Sequence, residues 1–180
     1  LVAEVLGLEV ARVVDGRLEV GVGKHDREAQ KLMHPDRQPF DALVAAVESV
    51  KAVRNAQARP HQINQLAAPR WLRTVVCRRP ELVGATGLAP VSAPVRRSDD
   101  LRVPAPALAR GDGVLVACST GIDLDLVPTA ADARLPEDER LVLVLPEVDA
   151  HPLTRTLAAA LRRPAEIVTI PADWRTLAIL

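Results

Sequence analysis

The sequence predicts an α/β protein with an N-terminal β-hairpin plus helix and a C-terminal βαβαβ unit with parallel strands, joined in one mixed sheet. Three observations carry this. Asp15-Gly16 sits between two β-rich runs, and Asp-Gly there favours a type I′ hairpin turn. Val114–Cys118, Leu141–Leu145 and 166–170 are short, uniformly apolar runs, the pattern of parallel strands buried on both faces. Helical segments separate those three runs, as βαβ connections require.

The hairpin strands are 8–14 and 17–22. A two-residue turn sets Val14 against Arg17, Arg12 against Glu19 and Glu9 against Val22. Glu9, Ala11, Val13, Leu18, Val20 and Val22 then share the face expected to be buried. Val10, Arg12, Glu19 and Gly21 share the other. Residues 24–38 are polar and turn-rich. A helix is expected from Pro39 to about Asn55, with Phe40, Leu43, Val44, Val47 and Val50 on its apolar stripe. Residues 59–83 suggest a short helical pair anchored by Leu66 and Trp71-Leu72. Residues 84–113 are rich in Pro, Ser and Arg, and are expected to form an extended connection inside one domain spanning 1–180.

In the last third, residues 122–134 are expected to be helical, with Pro128 in the first turn. A second helix runs from Pro152 to Arg163, with Leu153, Leu157 and Leu161 in register and arginines at its C-terminal end. The chain opens on Leu1 and closes on Ala178-Ile179-Leu180, as expected of a piece of a longer protein.

Composition narrows the function classes. The 23 basic residues balance 23 acidic ones, so no net charge draws the chain to nucleic acid or an anionic membrane. Aromatic residues amount to 2%, too few for a base-stacking platform. Two cysteines, Cys77 and Cys118, fit a reduced cytoplasmic protein better than a disulfide framework. Apolar runs are too short for a membrane span, and Glu4 and Glu9 interrupt any signal peptide. His25, His34, His61 and His151 lack metal-ligand spacing. The cofactor and the oligomeric state are not legible.

In open α/β sheets, ligands bind where loops leave the carboxyl ends of the strands. Those loops are 118–123, 146–151 and 171–174. They place Ser119, Asp149 and His151 as candidate catalytic groups, with Thr120, Gly121, Asp123 and Glu147 as ligand-binding groups. His151 fits a general base oriented by Asp149 or Glu147. Cys118, at a strand end, is either a nucleophile or core. The expected function is small-ligand binding at this edge, by a hydrolase or transferase. The alternative is a noncatalytic interaction or structural protein in which Ser119, Thr120 and Asp149 only cap helices. A third reading uses Glu9, Lys24 and Asp26 as a metal-dependent nuclease would, with a Glu9–Lys24 cross-strand ion pair as its structural counterpart. The hairpin followed by a helix at Pro39 resembles the PD-(D/E)XK nuclease core over residues 1–55, without that motif's Pro-Asp and Asp/Glu-x-Lys.

Overall fold

The computed structural model describes residues 1–33, 36–55, 61–94, 100–134 and 138–179. His34, considered above as a metal ligand, lies outside them. The fold is α/β, with two sheets. The first is antiparallel, in the order β1 (Val2–Val5), β2 (Leu8–Val14), β3 (Arg17–Val20). The second contains β4 (Ala89–Val91), β5 (Ala107–Gly111), β6 (Val114–Cys118), β7 (Arg140–Pro146) and β8 (Glu166–Ile170), in that order. The hairpin therefore does not join the parallel strands in one mixed sheet; it pairs with β1 instead.

The parallel unit is as expected. Leu115, Val116 and Ala117 pair with Leu141, Val142 and Leu143, and Val142–Pro146 pairs in parallel with Glu166–Ile170. Side chains of β6 and β7 alternate between two cores, following the period of two. Val114, Val116, Cys118, Val142 and Val144 pack with Trp71, Leu72, Val75 and Val76 of α3 (Ala68–Arg78). Leu115, Ala117, Leu141, Leu143 and Leu145 pack on the other face. Their partners include Leu126, Val127 and Ala130 of α4 (Leu126–Ala133), and Ala158 of α5 (Pro152–Ala160). Pro128 falls in the first turn of α4, as expected. Leu153 of α5 is exposed, whereas Leu157 and Leu161 pack against the core.

The segment 84–113 supplies strands β4 and β5. Asp112-Gly113 repeats the chemistry of Asp15-Gly16: all four residues have positive φ, and each pair closes a hairpin. Residues 24–38 were expected to be turns, yet α1 spans Gly23–Met33. It packs through charged side chains, so it carries no apolar stripe to read. In α2 (Pro39–Val53) the buried stripe is Leu43, Ala46, Val47 and Val50, at i, i+3, i+4 and i+7. Phe40 and Val44 are exposed, so the helix is rotated from the expected stripe.

The hairpin register is as the turn predicted, with Arg12 opposite Glu19 and Val13 opposite Leu18. The faces are not. Between Ala3↔Ala11 and Glu4↔Glu9 the β1–β2 ladder passes one step on β1 and two on β2, so Val10 is a bulge residue. The bulge exchanges the sides of the residues before it. Val10 enters the core with Leu8, and Glu9 joins the face of Arg12 and Glu19. Val13 and Leu18 are 38% and 39% exposed.

Gly7 closes the β1–β2 turn at φ +83, against the backbone of Arg70 and Trp71 at the start of α3. Gly16 has φ +76 and open space around it. Gly16→Ala should cost about 1–2 kcal/mol for the left-handed backbone alone. Gly7→Ala meets α3 as well and should cost at least about 2 kcal/mol more. Urea denaturation of both variants checks this; equal losses would show that the turn does not bear on α3.

Candidate functional site

The edge above the parallel strands brings some of the expected residues together and then commits them to one another. The Gly121 N–H donates to Asp149 Oδ2 at 2.7 Å, joining the loops that follow β6 and β7. Asp123 Oδ1 accepts the Asp125 N–H at 2.9 Å. The His151 Nδ1 accepts the Leu153 N–H at 3.2 Å and caps α5. Glu147 is exposed in a 3₁₀ turn, Glu147–Asp149. Thr120 is half-buried.

Capping does occur here, through His151 rather than Ser119, Thr120 or Asp149. The first turn of α4 begins at Leu126, seven residues beyond Ser119. Ser119 is fully buried, and its Oγ has no hydrogen-bond partner among the described residues. Cys118 is also fully buried in the α3-side core, where burial pushes its thiol far above the ordinary value. The nucleophile reading of Cys118 is thereby replaced by the core reading. Trp174 is core as well, edge-on to Trp71 with centroids 5.5 Å apart.

A second cluster lies on the polar face of the first sheet. The Val10 bulge places Glu9 and Arg12 side by side, although residues three apart on a regular strand point to opposite faces. The Arg12 guanidinium donates to Glu9 through Nε at 2.5 Å and Nη2 at 2.7 Å. Arg27 of α1 donates to Glu9 Oε1 at 2.8 Å, and its Nε lies 3.8 Å from Glu19. Lys31, one turn further along α1, bonds Glu19. At the other end, Arg73 of α3 donates to Glu4 at 2.5 Å. Burial alone would raise the Glu9 pKa, but the Arg12 hydrogen bond and the Arg12, Arg27 and Arg70 charges outweigh it and hold Glu9 below the usual carboxylate range.

The expected Glu9–Lys24 cross-strand pair is absent, since β3 ends at Val20 and Lys24 belongs to α1, 3.9 Å from Glu28. Asp26 is turned inward as a backbone acceptor, taking the Val22 N–H at 2.6 Å. Glu9 is thus bonded to two guanidinium groups, and Asp26 to a backbone N–H. Among the described residues no group of three or more His, Cys, Asp or Glu is placed to hold a metal ion.

Beside this cluster is a pocket of about 120 Å³. Its charged lining among the described residues is Arg12, Lys24, Arg27 and Arg70 against Glu9 and Asp100. Both carboxylates already accept hydrogen bonds, Glu9 from two arginines and Asp100 from the Arg102 N–H. Gly23 and Ala67, which open α1 and α3, also line it, so two positive helix ends border the same space. The elements meet there for packing reasons: Gly21 lets β3 approach the α1 backbone at Arg27, and the Ala67 N–H is fixed on Leu101 O at 2.8 Å. The sequence carried no local mark of Arg27 or Arg70, because four separate segments build the wall.

Comparison with family models, with curated proteins and with solved structures finds no match. Among the described residues, no helix is long and apolar enough to cross a membrane.

Proposed function

We propose that this protein binds a small molecule through an anionic group, a phosphate or a carboxylate, held in the pocket between the first sheet, α1 and α3. The observation that carries the reading is the convergence of Arg12, Lys24, Arg27 and Arg70 on one concave space. Among the described residues four cations and two carboxylates line it, and two helix N-termini add to the positive field. Guanidinium groups already aligned on Glu9 need little reordering to receive a second planar or tetrahedral anion. This keeps the small-ligand class expected from sequence and moves its site away from the parallel-strand edge. No reaction is assigned to the pocket.

The parallel-strand edge supports a second reading, in which a ligand meets Ser119, Thr120 and Asp149. What favours it is the buried Ser119 Oγ. What weighs against it is that Asp149, Asp123 and His151 each accept a backbone N–H from the protein itself.

Calorimetric titration with inorganic phosphate at low ionic strength tests the first reading. At ten times the dissociation constant, phosphate should stabilise the fold by about 1.4 kcal/mol and raise the melting midpoint by about 3–5 °C. Lys24→Glu, on an exposed side chain, should weaken binding about tenfold and leave the phosphate-free midpoint unchanged. A wild-type midpoint that responds to phosphate no more than to chloride at equal ionic strength would overturn the reading. A loss on Ser119→Ala instead of Lys24→Glu would favour the edge.

A further inference from the structure

The anion pocket is too small to hold a whole metabolite. Sites for drug-sized ligands run to about 300–1,000 Å³, and this one is about 120 Å³. It does not end blindly, however. Glu9, Arg12, Arg70 and Ala105 line it and also line an adjoining groove of about 800 Å³. The groove runs between the hairpin and the β4–β5 pair; Val2, Val13 and Val14 from the hairpin sheet and Val91 and Leu108 from the other line it, beside the charged Glu4, Asp15 and Arg73. Val2, Val13 and Val14 are open to solvent, at 53%, 38% and 37%. Scattered exposed apolar residues need no explanation, but several along one wall of a groove that ends in a cationic pocket do. The chain's three aromatic residues, Phe40, Trp71 and Trp174, do not line the groove. It therefore has no stacking surface for a base or an aromatic ring.

We infer that the ligand is an amphiphilic anion: one phosphate or carboxylate head seated among Arg12, Lys24, Arg27 and Arg70, and an aliphatic body lying along the groove beside Val13 and Val91. This rests on the proposed anion site and extends it to a substrate class. The charge complementarity is one-sided among the described residues, since the groove beyond Arg70 pairs Arg73 with Glu4, carries the Asp15 carboxylate and offers a second anionic head no comparable cluster. A dianion with charges at both ends is therefore the wrong shape for it, and a single-headed chain is the right one.

The test uses the whole chain and two homologous series, n-alkyl phosphates and n-alkyl carboxylates from two to eight carbons, with inorganic phosphate as reference. Affinity should rise about two- to fourfold per methylene until the groove is full. Val13→Asn, which adds a polar group without a charge at an exposed position, should flatten that rise. A chain-length rise in either series, flattened by Val13→Asn, sustains the inference, and the series with the tighter members identifies the head. Phosphate binding with no rise along either series would overturn it and leave the anion site standing. Binding of neither phosphate nor any alkyl anion would overturn both.

Discussion

Replacing Arg54 by Met is expected to destabilise the protein by at least about 3 kcal/mol. Arg54 caps the C-terminal end of α2 and is 1% exposed. Its guanidinium donates to Leu6 O at 2.5 Å, to Ile63 O at 2.9 Å and to Leu66 O, and lies 4.9 Å over the Trp71 ring. Among the described residues no carboxylate forms an ion pair with it. Burial, with the like charge of Arg175, brings its pKa down to about 10, so it stays protonated at neutral pH. Methionine fills similar volume but leaves the Leu6 and Leu66 carbonyls without that donor, each at about 1–3 kcal/mol where water cannot replace it, and the Ile63 carbonyl with the Leu66 N–H alone. Lysine keeps the charge at a single point and cannot span the β1–β2 turn and the segment before α3 together, so Arg54→Lys should recover less than half the loss. Urea unfolding followed by tryptophan fluorescence reads both variants, since Trp71 lies beneath the guanidinium. A Met variant within about 1 kcal/mol of wild type would show that solvent or a backbone shift satisfies the carbonyls. Because Leu66 immediately precedes Ala67 on the pocket wall, the variant should also bind phosphate more weakly.

Arg54 illustrates what local pattern reading does not reach. Its partners lie 48, 9 and 12 residues away, and nothing in its own neighbourhood marks it as buried. What could be read depended on short-range rules. Asp15-Gly16 fixed the Arg12–Glu19 register through turn geometry alone, and apolar runs of strand length placed β6, β7 and β8 side by side. The same turn rule applied to Asp112-Gly113 would have found β5, which its Ala-rich sequence concealed. The α1 helix was hidden for a different reason. It is held by Arg27 and Lys31 against Glu9 and Glu19, so its inward face is ionic and gives no hydrophobic period. At the candidate site, topology correctly brought Gly121 and Asp149 together, but their polar atoms close the loops on each other. The basic pocket depends on the Val10 bulge, which a two-residue period cannot foresee, and which turns Glu9 toward Arg12.

That ion cluster makes the final expectation specific: Glu9→Gln should weaken the fold and strengthen anion binding at once. Glu9 is the counter-charge of Arg12 and Arg27, whose side chains are 29% and 9% exposed. Breaking a fully buried pair costs about 3–5 kcal/mol, and the partial exposure of Arg12 brings the expected loss to about 2–3 kcal/mol. The dependence on pH follows from the direction of the Glu9 shift. Its folded pKa lies below the ordinary 4.5, so the carboxylate contributes its stability above that value and loses it as pH falls through the lowered one. Glutamine never ionises. The gap between wild type and variant should therefore be full at pH 6–7 and close progressively once pH drops below about 4.5. Removing the carboxylate also removes a negative charge from the pocket wall, so inorganic phosphate should bind about ten times more tightly to the variant. Phosphate would then restore part of the lost stability by taking the place of the missing carboxylate between the two guanidinium groups. Thermal melts from pH 3 to 7 in chloride and in phosphate buffers of equal ionic strength separate the two effects. A variant that is destabilised but no more responsive to phosphate than wild type would mean that Arg12 and Arg27 serve Glu9 alone and do not face a ligand.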